Sequence, residues 1–223
     1  MTLEILRALV LKAMVNNHVD MAATIVLAFN GLYRVGELTA TSGPFNYRTQ
    51  LAETDVEFFP SFAAATQVTI RIGASKVDRD GQKAKHHPRV LPVTNDFLSA
   101  GRWLKVLFSR RYNTGAHDMP TTAISKYRPL LQDAAGNHLK EGAVLAFMRR
   151  VLVKDNGYSQ AAAKMFGTHS FRIGGFTRYF HLGTPIEVLK RIGGWSSDAW
   201  KAYLRFQREN GIKFSALLCR EDA

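Results

Sequence analysis

Apolar residues at helical spacing recur along most of this 223-residue chain, and one segment shows the period of a strand instead. Four segments place apolar side chains three or four positions apart, as on one face of a helix: residues 3–14, 21–32, 97–108 and 144–152. Residues 68–72 alternate apolar and polar side chains, and residues 89–93 can return as an antiparallel partner. The pattern predicts a mainly α fold with a small antiparallel β-sheet.

Turn-forming and capping residues separate these segments. Residues 41–65 mix Ser, Gly, Pro and Asn with isolated aromatics, which predicts loop and short connecting pieces. Thr184-Pro-Ile-Glu187 has the pattern of a capping box with Thr184 as N-cap, and Gly193-Gly194 predicts the end of that helix. Ser196-Ser197-Asp198 can cap the next helix. Because no repeat, low-complexity tract or linker divides the chain, we expect one domain spanning residues 1–223.

The charge balance favours a polyanionic partner. Lysine and arginine number 30 against 18 acidic residues, which gives a formal charge of +12. Nucleic acid is the first candidate for such a surface, although a basic enzyme with a small anionic substrate gives the same excess. The tip of the predicted hairpin is the most basic segment, with Lys76, Arg79, Lys83, Lys85, His86, His87 and Arg89.

Several classes of protein are disfavoured. Cys219 is the single cysteine, so neither an internal disulfide framework nor a cysteine-rich zinc site can form. His86-His87 has no carboxylate or cysteine nearby in sequence, and we expect no metal site there. The N-terminus lacks a signal-peptide pattern, and the longest apolar run, Met21–Phe29, is shorter than the about 20 residues that span a bilayer. We therefore expect an intracellular protein without a membrane partner.

A group of chemically active side chains lies near the C-terminus. His169 and Arg172 are three positions apart and share one face of a helix. Trp195 follows a Gly-Gly pair, and Tyr203 comes about two helical turns later. The cationic and N–H donors suit phosphate oxygens, and the phenol could serve as a nucleophile. These residue types predict an attack on a phosphodiester.

Two upstream residues and a lysine complete a recognisable order. Arg34 has Glu37 three positions later, and Lys76 lies in the predicted hairpin. With these residues, the chain resembles the catalytic domain of the tyrosine recombinase (phage integrase) family from the first helix through Tyr203. The amino-acid sequence of residues 193–205 is most similar to that of recombinases of eukaryotic transposable elements. Trp195 stands where many members have histidine, and its gap to Tyr203 is one residue shorter than in many bacterial members.

The resemblance implies a cofactor-free reaction on double-stranded DNA. Tyr203 would attack a scissile phosphate, form a 3′-phosphotyrosine and release a 5′-hydroxyl. Arg34 and Arg172 would hold the non-bridging oxygens, since guanidinium forks match phosphate geometry. Lys76 would protonate the leaving oxygen. The outcome would be site-specific recombination or integration without ATP or metal, because the phosphotyrosine conserves the bond energy.

The resemblance also implies supporting residues and partners. His169 would bind the phosphate or help deprotonate the phenol, Trp195 would donate to a phosphate oxygen, and Glu37 would orient an arginine. The hairpin residues Arg79, Lys83 and Lys85 would attract DNA phosphates. We expect a homo-oligomer on DNA, a tetramer in synapsis, located in the nucleus if eukaryotic and in the cytoplasm if bacterial or phage. We expect the family's N-terminal core-binding domain to be absent, and the tail of residues 204–223 would contact a neighbouring subunit or its own core.

Simpler interpretations remain open at this level. Arg34 and Glu37 could form a surface ion pair, Arg172 could lie along the surface, and His169 could be a helix-end histidine. Lys83 and Lys85 compete with Lys76 for the role of proton donor. Tyr33, Tyr179 and Trp200 are expected to be packing residues. At the level of function, a catalytically silent DNA-binding protein and a type IB topoisomerase-like or telomere-resolving enzyme are the alternatives.

Overall fold

The computed structural model describes residues 1–40, 43–72, 88–115, 117–119, 121–195 and 197–203. The chain is about half helical and carries a small three-stranded antiparallel sheet, which confirms the expected mixture of elements. Lys76, Arg79, Lys83, Lys85 and the tail of residues 204–223 lie outside the described residues. Within the described ranges, every helix is too short or too polar to cross a bilayer.

The elements follow one another in a helix–sheet–helix order. The helices are α1 (Leu3–Val15), α2 (Val19–Asn30), α3 (Val35–Leu38), α4 (Ala100–Tyr112), α5 (Glu141–Lys154), α6 (Gln160–Lys164), α7 (His169–His181) and α8 (Ile186–Gly193). The strands β1 (Val56–Phe59), β2 (Gln67–Ile70) and β3 (Arg89–Pro92) lie between α3 and α4. Short 3-10 turns cover Glu53–Asp55, Thr121–Ala123 and Asp198–Trp200.

The sheet confirms the predicted hairpin and adds a strand. Strand β2 lies in the middle, with Val68 opposite Leu91 of β3 and opposite Phe58 of β1. Val68 and Ile70 are buried while Gln67 and Thr69 are half-buried, as the period-two pattern predicts. The prediction that residues 41–65 are only loop and connecting pieces was wrong at β1. That strand is four residues long, and its pairing with β2 defines it more than its own sequence pattern.

The long helices occur where the apolar spacing predicts them, with shifted ends. Helix α2 ends at Asn30 instead of residue 32, because Leu32 has a left-handed φ of 51° that a helix cannot continue through. Helix α4 begins at Ala100, where the Ser99 hydroxyl accepts a hydrogen bond from the N–H of Arg102 at 3.3 Å. Local capping therefore set ends that apolar spacing did not reveal.

Two apolar clusters divide the interior. The main core is formed by α1, α2, α4, α5 and the sheet, and includes the buried side chains of Leu6, Val26, Val68, Leu104 and Met148. The C-terminal cluster consists of Leu32, Phe176, Leu189 and Trp195, with Tyr203 and Trp200 packed against it. Helix α7 joins the two, since it packs closely along α2.

That close approach depends on glycine. A Cβ atom at Gly175 would collide with the carbonyl oxygen of Phe29, and one at Gly174 would collide with the backbone oxygen of Met1. Both glycines are buried. Their absent side chains let α7 pack on α2, which brings the start of α7 to the turn that follows α2.

The end of the chain shows one capping prediction wrong and another confirmed. Helix α8 begins at Ile186 with Pro185 as N-cap and without a side-chain cap, so the capping box with Thr184 does not form. Gly194 ends α8 with a φ of 66°, as the Gly-Gly pair predicts. The Ser197 hydroxyl accepts from the N–H of Ala199 at 3.4 Å, and residues 201–203 follow as helix.

Candidate functional site

A tight turn after α2 begins the site. A Cβ atom at Gly31 would collide with the Tyr33 ring, so glycine is required for this ring position. Leu32 then turns the chain in the left-handed conformation and Arg34 becomes the N-cap of α3. The carboxylate of Glu37 accepts the backbone N–H of Arg34 at 2.9 Å and closes the turn. The turn of residues 31–34 is therefore stabilised by Glu37, which lies in the helix that follows it, α3.

The Glu37 carboxylate is the centre of an arginine cluster. Its Oε1 accepts from Arg34 Nη1 at 2.8 Å, while Oε2 lies 3.8 Å from Arg89 Nη2 and 3.9 Å from Arg172 Nη1. The Glu37 side chain is 8% exposed and that of Arg34 is 31% exposed. Three guanidinium charges against one carboxylate leave excess positive charge, so the cluster favours an anion. The alternative of a simple surface ion pair is wrong for Glu37.

Arg172 lies in the first turn of α7 and is fully buried. Its Nη1 donates to the carbonyl oxygen of Leu32 and its Nη2 to that of Gly193, both at 2.7 Å. Its guanidinium carbon lies 4.3 Å from the ring centre of Trp195. Burial lowers the pKa of Arg172 to about 10 and the charge of Glu37 opposes this shift, so the side chain is cationic at neutral pH. The alternative of a surface arginine is wrong.

His169 is the first residue of α7 and is exposed. Although the residue is exposed overall, partial desolvation lowers its pKa below the ordinary value of 6.5, and the charges of Arg34 and Arg172 lower it further. Its ring is therefore uncharged at neutral pH and can accept a proton. The imidazole therefore lies within the electrostatic field of both arginines.

Tyr203 lies against the aromatic part of the site. Its ring centre is 5.2 Å from that of Trp195 and 5.5 Å from that of Phe176. Gly193 makes room for Trp195, since a Cβ atom there would collide with the indole. The phenol is near enough to influence the pKa of Arg172. The short step from Trp195 to Tyr203 thus leaves the tyrosine within the C-terminal cluster.

The structure brings together six of the residues that the sequence singles out: Arg34, Glu37, His169, Arg172, Trp195 and Tyr203. The proposed proton donor Lys76 and the DNA-contact candidates Arg79, Lys83 and Lys85 fall outside the described residues. Within the described ranges there is no group of three or more His, Cys, Asp or Glu side chains that could hold a metal ion.

Two charged residues near the site were not identified from the sequence. Arg89 was assigned only to the basic hairpin, yet its Nη1 donates to the carbonyl oxygen of Gly31 at 2.7 Å. The charge of Glu141 at the start of α5 acts on His169, and its carboxylate lies beside Gly36. No local pattern distinguishes either residue from other charged residues, because only packing brings them to the site.

The competing tyrosines have packing roles, as expected. Tyr33 is fully buried beneath Arg89, whose guanidinium carbon lies 3.9 Å from the ring centre, and burial raises the Tyr33 pKa. Tyr179 donates its hydroxyl to the carbonyl oxygen of Asn30 at 2.9 Å. Trp200 is half-buried against the C-terminal cluster. Of Tyr33, Tyr179, Trp200 and Tyr203, only Tyr203 makes a ring contact with Trp195.

A scan against protein-family models and a search of curated proteins found no match to this chain.

Proposed function

We propose that this chain is the catalytic domain of a DNA strand-transfer enzyme of the tyrosine recombinase type. One observation carries the proposal: guanidiniums from distant parts of the chain surround Glu37, and Arg172 among them lies against Trp195, whose other neighbour is the Tyr203 ring. The charges of Arg34 and Arg172 also act on the imidazole of His169. The fold, about half helical with a small antiparallel sheet, is compatible with that family's catalytic architecture. The formal charge of +12 favours double-stranded DNA as the substrate.

The proposed chemistry consists of two balanced transesterifications. The Tyr203 oxygen attacks the phosphorus, the bond from phosphorus to the 5′-oxygen breaks, and a 3′-phosphotyrosine forms. The phenol proton passes to His169, whose lowered pKa leaves its ring free to accept it. The departing 5′-oxygen takes a proton, and the resemblance assigns the role of proton donor to Lys76. A 5′-hydroxyl then attacks the phosphotyrosine and gives its proton back to the residue that protonated the leaving oxygen. The bond from phosphorus to the Tyr203 oxygen breaks, and His169 returns its proton to restore the phenol.

Arg34 and Arg172, the two arginines that the resemblance assigns to phosphate binding, differ in exposure and in hydrogen bonding. Arg34 has a partly exposed guanidinium that can meet a phosphate oxygen directly. Arg172 is fully buried, and each of its terminal nitrogens donates a hydrogen bond to a backbone carbonyl oxygen. We infer that DNA binding shifts Gly193, Trp195 and Tyr203 so that Arg172 releases the Gly193 carbonyl and faces the phosphate. Recombination joins two duplexes, and a homotetramer in synapsis belongs to the same proposal.

The test is capture of the covalent intermediate. The full chain is incubated with a pool of nicked duplexes of random sequence, in which the cleaved end diffuses away and traps the enzyme on DNA. We expect an SDS-stable protein–DNA adduct from the wild type and none from Tyr203→Phe. Tyr179→Phe is the matched control, because it removes a phenolic hydroxyl that is hydrogen-bonded to the Asn30 carbonyl and makes no ring contact with Trp195; that hydrogen bond is worth about 1 kcal/mol.

Two results would contradict the proposal. If the wild type forms no adduct with any duplex in the pool, the enzymatic function is wrong. If Tyr203→Phe still forms one, Tyr203 is not the nucleophile. Relaxed circles without recombinant products from a supercoiled substrate would instead assign the chemistry to a topoisomerase-like enzyme.

A catalytically silent DNA-binding protein is the second candidate. The hydrogen bonds from both terminal nitrogens of Arg172 to backbone carbonyls favour it, since a purely structural arginine has the same contacts. The pool experiment separates the two functions. A silent protein retards duplexes in a gel without an adduct, and Tyr203→Phe leaves that retardation unchanged.

A further inference from the structure

Arg89 connects three segments of the site. It is the first residue of β3, and its side chain is only 11% exposed. Its Nη1 donates to the Gly31 carbonyl oxygen at 2.7 Å, and its Nη2 lies 3.8 Å from the Glu37 carboxylate. The same Nη2 lies beside Gly194, the residue before Trp195. One guanidinium thus contacts the turn after α2, the central carboxylate and the entry to the C-terminal cluster.

The plane of the side chain is also held. Its guanidinium carbon lies 3.9 Å from the Tyr33 ring centre, close enough for a cation–π contact. Tyr33 is fully buried and cannot follow a moving side chain. A fixed plane with donors pointing in several directions is a property of arginine that the single ammonium of lysine lacks. Arg89 is therefore built to hold its neighbours in place.

We infer that Arg89 is a positioning residue that holds Glu37, and through Glu37 the partly exposed Arg34, in the orientation that receives an anion. Little of its side chain is exposed, so it acts through its neighbours and not by touching the substrate. The inference rests on the proposed function only where DNA cleavage is the readout. Binding of a simple anion tests it independently.

Loss of Arg89 has a defined consequence at the site. The Gly31 carbonyl loses its donor, and Glu37 loses one of the cations around Oε2. Glu37 can then shift towards Arg172, and the 2.8 Å contact that orients the Arg34 guanidinium weakens. The net positive charge also falls by one. Geometry and charge therefore have to be separated by the choice of variants.

The first measurement uses inorganic phosphate alone, at constant pH and ionic strength. Phosphate binding is followed through the His169 imidazole resonance, which is assigned with His169→Gln. We expect Arg89→Met to weaken the phosphate affinity about tenfold. Arg89→Lys keeps the charge but cannot contact Gly31, Glu37 and the Tyr33 face together, so we expect about threefold weakening.

Arg71→Met is the matched control. Arg71 follows β2, is paired with Glu57, and its side chain is 43% exposed, so the variant removes the same charge from the same sheet away from Glu37. We expect its phosphate affinity to equal that of the wild type. Thermal unfolding of each variant verifies folding, and if Arg89→Met does not fold, Arg89→Lys decides alone.

The inference is overturned if the wild type gives no saturable response to phosphate. It is also overturned if Arg89→Lys binds phosphate as tightly as the wild type, or if Arg71→Met weakens binding equally. Adduct formation on the nicked pool keeps the two proposals apart. Arg89-dependent phosphate binding without any wild-type adduct supports the positioning role while the recombinase function fails. A wild-type adduct that Arg89→Lys forms at the same rate overturns the positioning role alone.

Discussion

The main core and the C-terminal cluster are stabilised in different ways. The main core is a continuous apolar interior between helices and sheet that is stabilised chiefly by hydrophobic burial, and the buried Glu53 beside it is paired with Arg111 and Arg128. The C-terminal cluster has four buried apolar residues and is packed around the buried guanidinium of Arg172. Its order depends on directional contacts to carbonyls, Glu37 and Trp195. The comparison shows that the candidate site lies in the region where polar contacts contribute more to the packing than they do in the main core.

Burying the Arg172 guanidinium has an energetic cost. A guanidinium removed from water needs compensating partners, or the free energy of unfolding falls by several kcal/mol. Arg172 recovers part of this cost through two short hydrogen bonds and through Trp195, whose cation–π contact is worth up to about 2 kcal/mol when desolvated. We therefore expect that replacing polar side chains lowers the free energy of unfolding more in the C-terminal cluster than in the main core.

The largest effect is expected where the two regions join. Gly175→Ala would push a methyl group into the carbonyl oxygen of Phe29 and force α7 away from α2. Because the obstacle is backbone, we expect a loss of at least about 3 kcal/mol of unfolding free energy, measured by chemical denaturation. The aromatic contacts of Tyr203 should be lost as well.

Gly142→Ala is the control for this substitution. Gly142 lies in α5, and nothing stands within 4 Å of an added Cβ atom. Alanine should therefore stabilise the protein by about 0.5–1 kcal/mol through its higher helix propensity. Equal stability of both variants would mean that α7 and α2 are not in close contact, and the comparison of the two regions would lose its basis.

The next effect separates the two arginines. Arg172→Met leaves the carbonyls of Leu32 and Gly193 without donors, and we expect it to cost about 2 kcal/mol of unfolding free energy. Arg34→Met removes a partly exposed ion pair and should cost less than about 1 kcal/mol, while both variants lose phosphate affinity. Equal destabilisation by both would show that burial does not distinguish them.

The smallest effect is a pH dependence at His169. Its folded-state pKa is lowered, so the unfolded chain binds the proton more tightly. Stability should therefore fall as the pH drops from above 6.5 towards the lowered pKa, and level off below it. His169→Gln should lose less stability than the wild type when chemical denaturation is repeated at pH values across this window.

His138 and the N-terminal amine also have lowered pKa values because they are buried, so the difference between wild type and variant is the informative quantity. Identical pH profiles would place His169 outside the field of the arginines. A profile in which only the wild type responds would support its membership of the cluster.

The sequence revealed those features that depend on neighbours along the chain. Alternation at Val68 and Ile70 predicted β2 correctly, and Gly194 ended its helix as expected. It did not reveal β1, because four residues carry too little pattern without the partner strand. It also misplaced the N-cap at Thr184, where the helix begins after Pro185.

By itself, the sequence determined the helical periodicity, the excess of positive charge, and the placement of His169 and Arg172 on one helix. These follow from local backbone geometry and composition. Only the tertiary structure decided that Arg172 is buried against carbonyls, that Arg89 reaches Glu37, and that Tyr203 lies against Trp195. Such contacts join residues far apart in the chain, and they depend on how closely α7 packs on α2.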